Sequence, residues 1–173
     1  MFLDRDGVLN QRIPDDYVKH PDEFLFNPGV TEALALLSSK FQPIVVVTNQ
    51  QGIGRGLMSS AQLENVHKKM NDEVKSAGGR IDAVYFSPDL KRSRSFTRKP
   101  AVGMGLKARK QFPSIRFNQS IMVGDTYSDI LFGHRLGMIT VLVGNDREAA
   151  FQSSRILDFS FPDLLAFARF ILG

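Results

Sequence analysis

The chain has 173 residues, 43% of them apolar, and no cysteine, which excludes disordered and fibrous proteins, disulfide scaffolds and cysteine nucleophiles. Its net charge of +4 is a mild basic excess, densest between Lys91 and Lys99, which an anionic partner and a solvated loop explain equally well. No apolar run approaches the roughly 20 residues that span a bilayer, so we expect a soluble, cytoplasmic protein of one domain, residues 1–173, with no membrane partner.

Apolar, β-rich runs then alternate with segments of helical period along the chain. The predicted strands, in order, are residues 1–3, 44–47, 83–86, 121–123, 139–143 and 156–159. The predicted helices begin near Pro28, Ser59, Leu106, Thr126 and Pro162. Because strands that alternate with helices pair in parallel, the pattern predicts a three-layer α/β fold with helices on both faces of the sheet.

Two of these helices have well-marked apolar stripes. The stripe of the first helix is Val30, Ala33, Leu34 and Leu37, and that of the second is Leu63, Val66, Met70 and Val74. Ser59, followed three residues later by Gln62, predicts a capping box at the start of the second helix. The segment between the second strand and this helix is rich in glycine, and we predict a loop there.

In parallel α/β sheets, ligands bind at the carboxyl ends of the strands, near the point where the strand order reverses. The sequence after the first strand places two carboxylates, Asp4 and Asp6, at this edge. After the fourth strand come Asp125 and Asp129, which we predict to lie at the N-cap and in the first turn of a helix. Carboxylates in such positions can bind a hard cation or attack phosphorus, although turns and helix caps use the same residue type.

The remaining two strand ends carry residues suited to anions. Thr48 is followed by amide side chains and glycines, whose free backbone N–H groups can form an anion-binding concavity. The third strand leads into the basic run, which ends at Lys99 before a proline. A lysine there can place a point charge on a phosphoryl oxygen. Each motif alone is weak, but four of them follow in order at four strand ends.

This order of motifs resembles the haloacid dehalogenase superfamily of aspartate-nucleophile phosphohydrolases. Within it, residues 2–7 (FLDRDG), 48–56 (TNQQGIGRG) and 98–104 (RKPAVGM) look like the histidinol-phosphate and D,D-heptose bisphosphate phosphatase branch. The resemblance extends from residue 1 to about residue 143. It is specific for the superfamily and much less specific for the substrate.

The resemblance implies a Mg²⁺-dependent phosphatase that acts through an aspartyl-phosphate. Asp4 would attack phosphorus, and Asp6 would protonate the leaving oxygen and then activate water. Mg²⁺ would be held by the Asp4 carboxylate, the Asp6 backbone carbonyl and Asp125. Lys99 would neutralise the charge on the transferring oxygens, and Asp129 would orient Lys99 or a metal-bound water.

The same resemblance implies a substrate that is a small phosphorylated metabolite, a sugar phosphate or bisphosphate. Thr48 is expected to bind the transferring oxygens as part of the catalytic set. The residues expected to bind the substrate are Tyr17, Asn49, Gln50, Arg55 and Arg98. Because neither segment between the first three strands is long enough for an inserted domain, we predict a capless site, in a protein that we expect to be a monomer.

The chain departs from the branch just before the Arg-Lys-Pro motif, and two alternative functions stay open. Most members carry a zinc loop of three Cys and one His before the Arg-Lys-Pro motif, whereas this chain has no Cys, so we expect no structural Zn²⁺ and a more mobile loop. Of the three histidines, the two on predicted helices, His67 and His134, are expected to be ordinary surface or boundary residues. Residues 98–104 are also similar to polynucleotide 3′-phosphatases, which makes DNA-end processing the alternative enzyme; the alternative of another class is a catalytically silent binding module.

Overall fold

The computed structural model describes residues 1–14, 16–145 and 147–173 as an alternation of strands and helices. The strands are β1 (Phe2–Leu3), β2 (Val45–Asn49), β3 (Ala83–Ser87), β4 (Ile121–Gly124), β5 (Ile139–Val143) and β6 (Phe159–Phe161). The helices are α1 (Val30–Ser38), α2 (Gln51–Gly54), α3 (Ser60–Ser76), α4 (Gly103–Gln111), α5 (Tyr127–Arg135), α6 (Arg147–Ser153) and α7 (Leu164–Leu172). Short 3-10 turns cover Pro21–Glu23, Lys91–Ser93 and Phe117–Gln119.

Within the described residues, the strands form one parallel sheet in the order β3-β2-β1-β4-β5-β6. The chain moves outward from β1 in one direction through β2 and β3, and then returns to the other side of β1 with β4. The strand order therefore reverses beside β1, and the crevice at its carboxyl end is where such folds bind ligands. The predicted α/β class and parallel sheet are confirmed.

Alternation along the central strands divides the core between the two faces of the sheet. Leu3 and Val46 face one cluster, which contains the buried sides of α1, α3 and α7. Phe2 and Val45 face the other, formed with α4 and α5. Because successive strand residues point to opposite faces, the two residues of β1 are enough to anchor it in both layers.

The two predicted helical stripes are confirmed. All four stripe residues of α1 and all four of α3 are buried. The capping box is present: the Gln62 N–H donates to Ser59 Oγ at 3.1 Å, and the Ser59 N–H donates to Gln62 Oε1 at 2.8 Å. Period and capping residues thus determine these helices locally.

Two elements near the site differ from the prediction, and both contain glycine. The glycine-rich loop after β2 contains a short helix, α2, and α4 begins at Gly103 instead of Leu106. A Cβ on Gly105 would lie 2.5 Å from Leu136 Cδ1. A side chain on Gly105 would displace the Leu136 side chain at the C-terminal end of α5, so close packing there favours a glycine inside α4 despite its low helix propensity.

The last strand was predicted at residues 156–159 but lies at Phe159–Phe161. The Asp158 carboxylate accepts from the Thr140 N–H at 2.8 Å, and the Thr140 hydroxyl donates to the Ile156 carbonyl at 2.7 Å. Ile156 itself packs against the small cluster around Ile130. Thr140, near the start of β5, thus forms hydrogen bonds with the Asp158 side chain and the Ile156 carbonyl. Strand pairing between β5 and β6 begins only at Phe159.

The carboxyl edge of the sheet has no inserted cap domain in the described part of the chain. Between β1 and β2 lie one 3-10 turn and α1, and between β2 and β3 lie α2 and α3. The predicted capless architecture is confirmed. Among the described residues, no helix combines the length and apolar character needed to cross a membrane.

Candidate active site

Four strand ends converge on one cavity of about 420 Å³ at the carboxyl edge of the sheet. The loops after β1, β2, β3 and β4 each contribute to its wall. Its lining includes most of the predicted site residues, namely Asp4, Asp6, Tyr17, Thr48, Asn49, Arg55, Arg98, Lys99 and Asp129.

The Lys99 side chain lies at the floor of this cavity. Its ammonium is 2.7 Å from Asp4 Oδ1 and 2.6 Å from Asp129 Oδ1, and the residue is only 3% exposed. Burial disfavours the charged lysine, but the nearby charges of Asp129 and Asp4 outweigh it and raise the pKa of Lys99. Lys99 is therefore a fixed cation shared by two carboxylates.

Asp129 is held from its other side by the start of α5. The Thr126 N–H donates to Asp129 Oδ2 at 3.0 Å, and the Thr126 hydroxyl donates to the same oxygen. Asp129 lies in the first turn, as predicted, but the N-cap is Thr126, so the prediction that Asp125 caps the helix was wrong. The Asp125 carboxylate is consequently free of a capping role.

Three carboxylates form a cluster of the kind that binds a hard cation. Asp4, Asp125 and Asp129 each offer an oxygen, and these oxygens lie within 4.8 Å of one another. Burial and the charge of Asp129 raise the pKa of Asp4 to about 7, and burial and the charge of Asp4 raise the pKa of Asp125 to about 8. The donor set and its excess negative charge therefore fit Mg²⁺, which prefers oxygen ligands.

Gly7 allows this cluster to form. Its φ is +94°, and a Cβ at this position would lie 1.9 Å from Asp125 Oδ2. A side chain would therefore both strain the backbone and displace the carboxylate. This explains why a glycine directly follows the two leading aspartates.

Arg12 is a site residue that the sequence reasoning missed. Its guanidinium Nη2 lies 2.9 Å from Asp125 Oδ2 and 3.4 Å from the Asp6 carbonyl oxygen. It thus contacts two of the groups predicted to bind Mg²⁺. The Arg12 side chain is half exposed, so it can leave Asp125 at little cost in burial.

Asp6 is held as a carboxylate by a network of donors. Arg5 Nη2 donates to both its oxygens, at 2.8 Å and 2.9 Å, and Arg5 is fully buried. Asn10 and Gln50 donate through their side-chain amides at 3.0 Å and 2.7 Å. Although burial favours the protonated acid, Arg5 and these hydrogen bonds hold the pKa of Asp6 below its usual value.

His67 lies behind this network, so the expectation of a surface or boundary position was wrong. Its Nε2 is 3.2 Å from Arg5 Nη1, and the residue is 8% exposed. Burial and the charge of Arg5 lower the pKa of His67 to about 3. The imidazole is therefore neutral at physiological pH, and the neutral ring can accept the Arg5 hydrogen bond.

The three residues at the end of β2 differ in what they contact. Thr48 and Asn49 line the cavity. The Asn49 amide also holds the backbone of Lys99: its Oδ1 accepts from the Lys99 N–H at 2.9 Å, and its Nδ2 donates to the Lys99 carbonyl at 3.1 Å. Gln50 is fully buried, contacts Asp6 and Thr48, and does not line the cavity. The structure therefore gives Gln50 no contact with the space for a substrate.

The rim of the cavity carries the other predicted binding residues. The Arg55 guanidinium lies over the Tyr17 ring at 5.9 Å from its centroid. Arg98 comes from the opposite loop, and its Nη1 donates to the Asp89 carbonyl at 3.0 Å. Two arginines and a tyrosine thus surround the entrance to a cavity with an acidic floor.

Comparison with known proteins gives consistent results. A profile of the polynucleotide kinase 3 phosphatase family matches residues 2–171. A Mycobacterium bovis protein named D-glycero-alpha-D-manno-heptose-1,7-bisphosphate 7-phosphatase is 35% identical over 97% of this chain and 88% of its own length. A Bordetella bronchiseptica protein named as the corresponding beta-heptose phosphatase is 34% identical over 88% of this chain and 85% of its own.

A solved structure is similar over nearly the whole chain. It is a D,D-heptose 1,7-bisphosphate phosphatase from B. bronchiseptica, complexed with magnesium and phosphate. It superposes with a TM-score of 0.91 at 33% identity, covering 99% of this chain and 97% of that one. Other similar structures, at 16% and 19% identity, are a haloacid dehalogenase-like hydrolase from Streptococcus pneumoniae and a HAD phosphatase from Thermococcus onnurineus, and they share the fold.

The carboxylate cluster predicts how stability depends on pH. The folded protein without metal retains protons on Asp4 and Asp125 up to about pH 7 and 8, whereas the ordinary carboxyl pKa is 3.8. At Asp4 and Asp125 the folded state therefore binds more protons, and the contribution of these two carboxyls to the free energy of unfolding should fall as the pH rises from about 5.5 to about 8.5. His67 and the N-terminal amine, whose pKa values are lowered to about 3 and about 6, act in the opposite sense. Thermal unfolding in EDTA should therefore show a steeper decrease with pH for the wild type than for Asp125→Asn, with roughly 2–4 °C lost per 1 kcal/mol.

Mg²⁺ should counteract this loss. Because the cation binds ionised carboxylates, it should raise the melting temperature more at about pH 8.5 than at about pH 5.5. An Asp125→Asn variant should lose most of the Mg²⁺ effect, while the matched surface variant Asp72→Asn should keep it. Equal stabilisation by Mg²⁺ at both pH values would contradict the assignment of this cluster as a cation site.

Proposed function

Because the chain belongs to the polynucleotide kinase 3 phosphatase family, we propose that it hydrolyses a sugar phosphate or sugar bisphosphate through an aspartyl-phosphate. The observation that carries this proposal is the buried Lys99 beside Asp4 at the reversal point of the sheet. Two relatives at 34–35% identity are named heptose-1,7-bisphosphate 7-phosphatases, which supports a heptose bisphosphate as the substrate. One is named for the alpha and the other for the beta anomer, so they support both anomers equally.

In the first step, an Asp4 oxygen attacks phosphorus and the bond to the leaving oxygen breaks. The leaving oxygen takes a proton from Asp6, and the product alcohol departs. In the second step, Asp6 accepts a proton from water, whose oxygen attacks phosphorus. The bond between phosphorus and the Asp4 oxygen breaks, which releases inorganic phosphate and regenerates the Asp4 carboxylate. Asp6 therefore ends the cycle protonated, ready to act again as an acid.

The donors around Asp6 favour its role as a base. Arg5, Asn10 and Gln50 hold it ionised, which is the state needed to accept a proton from water. To donate a proton, the Asp6 carboxyl must break its ion pair with Arg5 and form a hydrogen bond to the leaving oxygen. We therefore place Asp6 in two positions during the cycle, paired with Arg5 and turned toward the substrate.

The residues that would hold Mg²⁺ are the Asp4 and Asp125 carboxylates and the Asp6 backbone carbonyl. A bound magnesium ion offsets the repulsion between the Asp4 carboxylate and an anionic phosphate, and it stabilises charge on the transferring oxygens. Arg12 must leave Asp125 when the ion binds, since it contacts the same oxygens. Asp129 holds Lys99 from outside this ligand set.

The substrate contacts follow from the cavity walls. Thr48 and Lys99 lie at the floor, where the transferring oxygens would bind, while Tyr17, Arg55 and Arg98 surround the sugar at the rim. Gln50 is reassigned from the substrate to Asp6, which it contacts directly. All these groups come from one chain, and we propose that a monomer with one domain forms the complete site.

A second candidate function is the removal of 3′-phosphates from DNA ends. The family profile bears the name of such an enzyme, and a second cavity adjoins the first at Arg98 and Lys99. Its lining includes the further cations Lys91, Arg94 and Arg135. Such a surface suits a nucleic-acid backbone, and binding there would weaken steeply with salt.

A substrate panel tests the proposal and separates the two enzymes. The purified chain is assayed with a heptose bisphosphate, a 3′-phosphorylated oligonucleotide and p-nitrophenyl phosphate, with Mg²⁺ and with EDTA. We expect the highest kcat/KM for the sugar bisphosphate and activity only with Mg²⁺. Preference for the oligonucleotide would select the second candidate, and no turnover of any substrate would indicate a silent binding module.

An Asp4→Asn variant should lose turnover while keeping the fold, because the amide has nearly the same shape but is not a nucleophile. We expect a loss of kcat of at least about 10³-fold, with the circular dichroism spectrum unchanged. The exposed Asp72→Asn variant serves as the matched control. Turnover by Asp4→Asn comparable to that of the control would refute the assignment of the nucleophile.

Replacing Lys99 should affect both catalysis and stability. Lys99→Ala removes the fixed cation near the transferring oxygens, so kcat should fall by roughly 10²–10³-fold. It also leaves two buried carboxylates without their shared partner, which typically costs about 3–5 kcal/mol. Kinetics and thermal unfolding measure the two effects, and the exposed Lys107→Ala on α4 should show neither; normal kcat in Lys99→Ala would exclude the proposed role.

A further inference from the structure

Three hydroxyl side chains near Arg98 donate hydrogen bonds to one oxygen of the Asp89 carboxylate. Asp89 Oδ2 accepts from Ser87 Oγ at 3.0 Å, from Thr97 Oγ1 at 2.8 Å and from the Ser95 hydroxyl. Thr97 Oγ1 also lies 3.2 Å from Ser87 Oγ and 3.0 Å from Ser95 Oγ. We refer to Ser87, Asp89, Ser95 and Thr97 as the hydroxyl clasp.

The clasp joins the two ends of the basic loop. Ser87 ends β3, whereas Ser95 and Thr97 follow the exposed run of cations. Hydrogen bonds from Ser95 and Thr97 lower the pKa of Asp89, so these are bonds to an ionised acceptor, which are stronger than neutral ones. We expected a mobile loop in this stretch because no cysteine is present. The two ends of the loop are instead joined by hydrogen bonds between hydroxyl groups and the Asp89 carboxylate.

Arg98 is fixed by the clasp at two points. Its backbone directly follows Thr97, and its guanidinium Nη1 donates to the Asp89 carbonyl at 3.0 Å. The side chain lines both the catalytic cavity and the adjoining basic one. Any change in the position of Asp89 would therefore move the cation at the entrance to the site.

Lys99, the next residue, is fixed in a different way. Its backbone is held on both sides by the Asn49 amide, and its ammonium by Asp4 and Asp129. None of these contacts involves a clasp residue. The two neighbouring cations thus have separate anchors, one for the rim and one for the floor.

We propose that Asp89 is a positioning residue for substrate recognition: it draws three hydroxyls into a clasp that sets the Arg98 guanidinium at the rim of the catalytic cavity. This inference rests on the proposed function, since it assigns Arg98 to the substrate. Because Lys99 is anchored independently, loss of the clasp acts on substrate binding and leaves the chemical step largely intact.

The kinetic test compares Asp89→Ala and the Ser95→Ala/Thr97→Val double variant with the control Asp72→Asn. We expect KM for the preferred substrate of the wild-type chain to rise about tenfold, which corresponds to about 1.4 kcal/mol, with kcat within about threefold of the control. Asp89→Asn, which keeps an acceptor oxygen but loses the charge, should be intermediate. An unchanged KM, or a kcat that falls as much as KM rises, would overturn the proposal.

A double-variant cycle shows whether Asp89 acts through Arg98. Arg98→Ala alone should raise KM, and adding Asp89→Ala should then have little further effect, because the group that Asp89 positions is already gone. A general weakening of the structure would instead raise KM by the same factor in both backgrounds. Additive effects would therefore contradict the proposal.

Limited trypsin digestion tests the clasp without relying on activity. Cleavage within residues 91–98 should be slow in the wild type and in Asp72→Asn and at least about tenfold faster in Asp89→Ala, since the lost hydrogen bonds to a charged acceptor are stronger than neutral ones. Equal cleavage rates would show that Asp89 does not hold the loop, even if the chain proved inactive. If cleavage is faster in Asp89→Ala but the wild type hydrolyses none of the substrates, the proposed function is wrong, while the role of Asp89 in holding the loop is supported.

Discussion

One buried ammonium group connects the loops at the catalytic edge. Lys99 follows β3, but it contacts Asp4 at the end of β1 and Asp129 in the first turn of α5. Placing such ions in the interior costs several kcal/mol each unless their geometry is close and their remaining hydrogen bonds are made. Here Thr126 satisfies Asp129 and Asn49 holds the Lys99 backbone, so three loops must fold together for the pair to be stable.

The charges around Lys99 do not cancel, and this imbalance explains the affinity for a cation. Asp4, Asp125 and Asp129 share one buried ammonium and one half-exposed guanidinium, that of Arg12. Burial and this excess of negative charge together raise the pKa values of Asp4 and Asp125. A site so built is destabilised at neutral pH without a divalent ion, and the same repulsion would oppose an anionic phosphate. The same counter-charge therefore stabilises the fold and permits catalysis.

Periodicity was enough to predict the sheet, two helices and the strand ends that carry the motifs. The reason is that a strand or helix buried on one or both faces has a regular spacing of apolar residues within its own segment. The errors have a different origin. Gly105 in α4 contacts Leu136, and the position of β6 depends on contacts with Thr140; both partners are distant in sequence. Arg12 meets Asp125 across 113 positions and His67 meets Arg5 across 62, and no local pattern predicts such pairs. Arg5, by contrast, adjoins Asp6 and could have been inferred as its partner.

The separate anchoring of neighbouring residues bears on how this fold supports different substrates. Lys99 contacts residues at β1, β2 and α5, the elements that surround the nucleophile, whereas Arg98 contacts the loop between Ser87 and Thr97. Since the phosphoryl group is common to all phosphomonoesters and the leaving group is not, a site benefits when its floor stays fixed while its rim varies. In a capless fold the rim consists of loops alone. A clasp of hydroxyls and one carboxylate can then order such a loop without a metal ion, and its sequence can change without disturbing the floor.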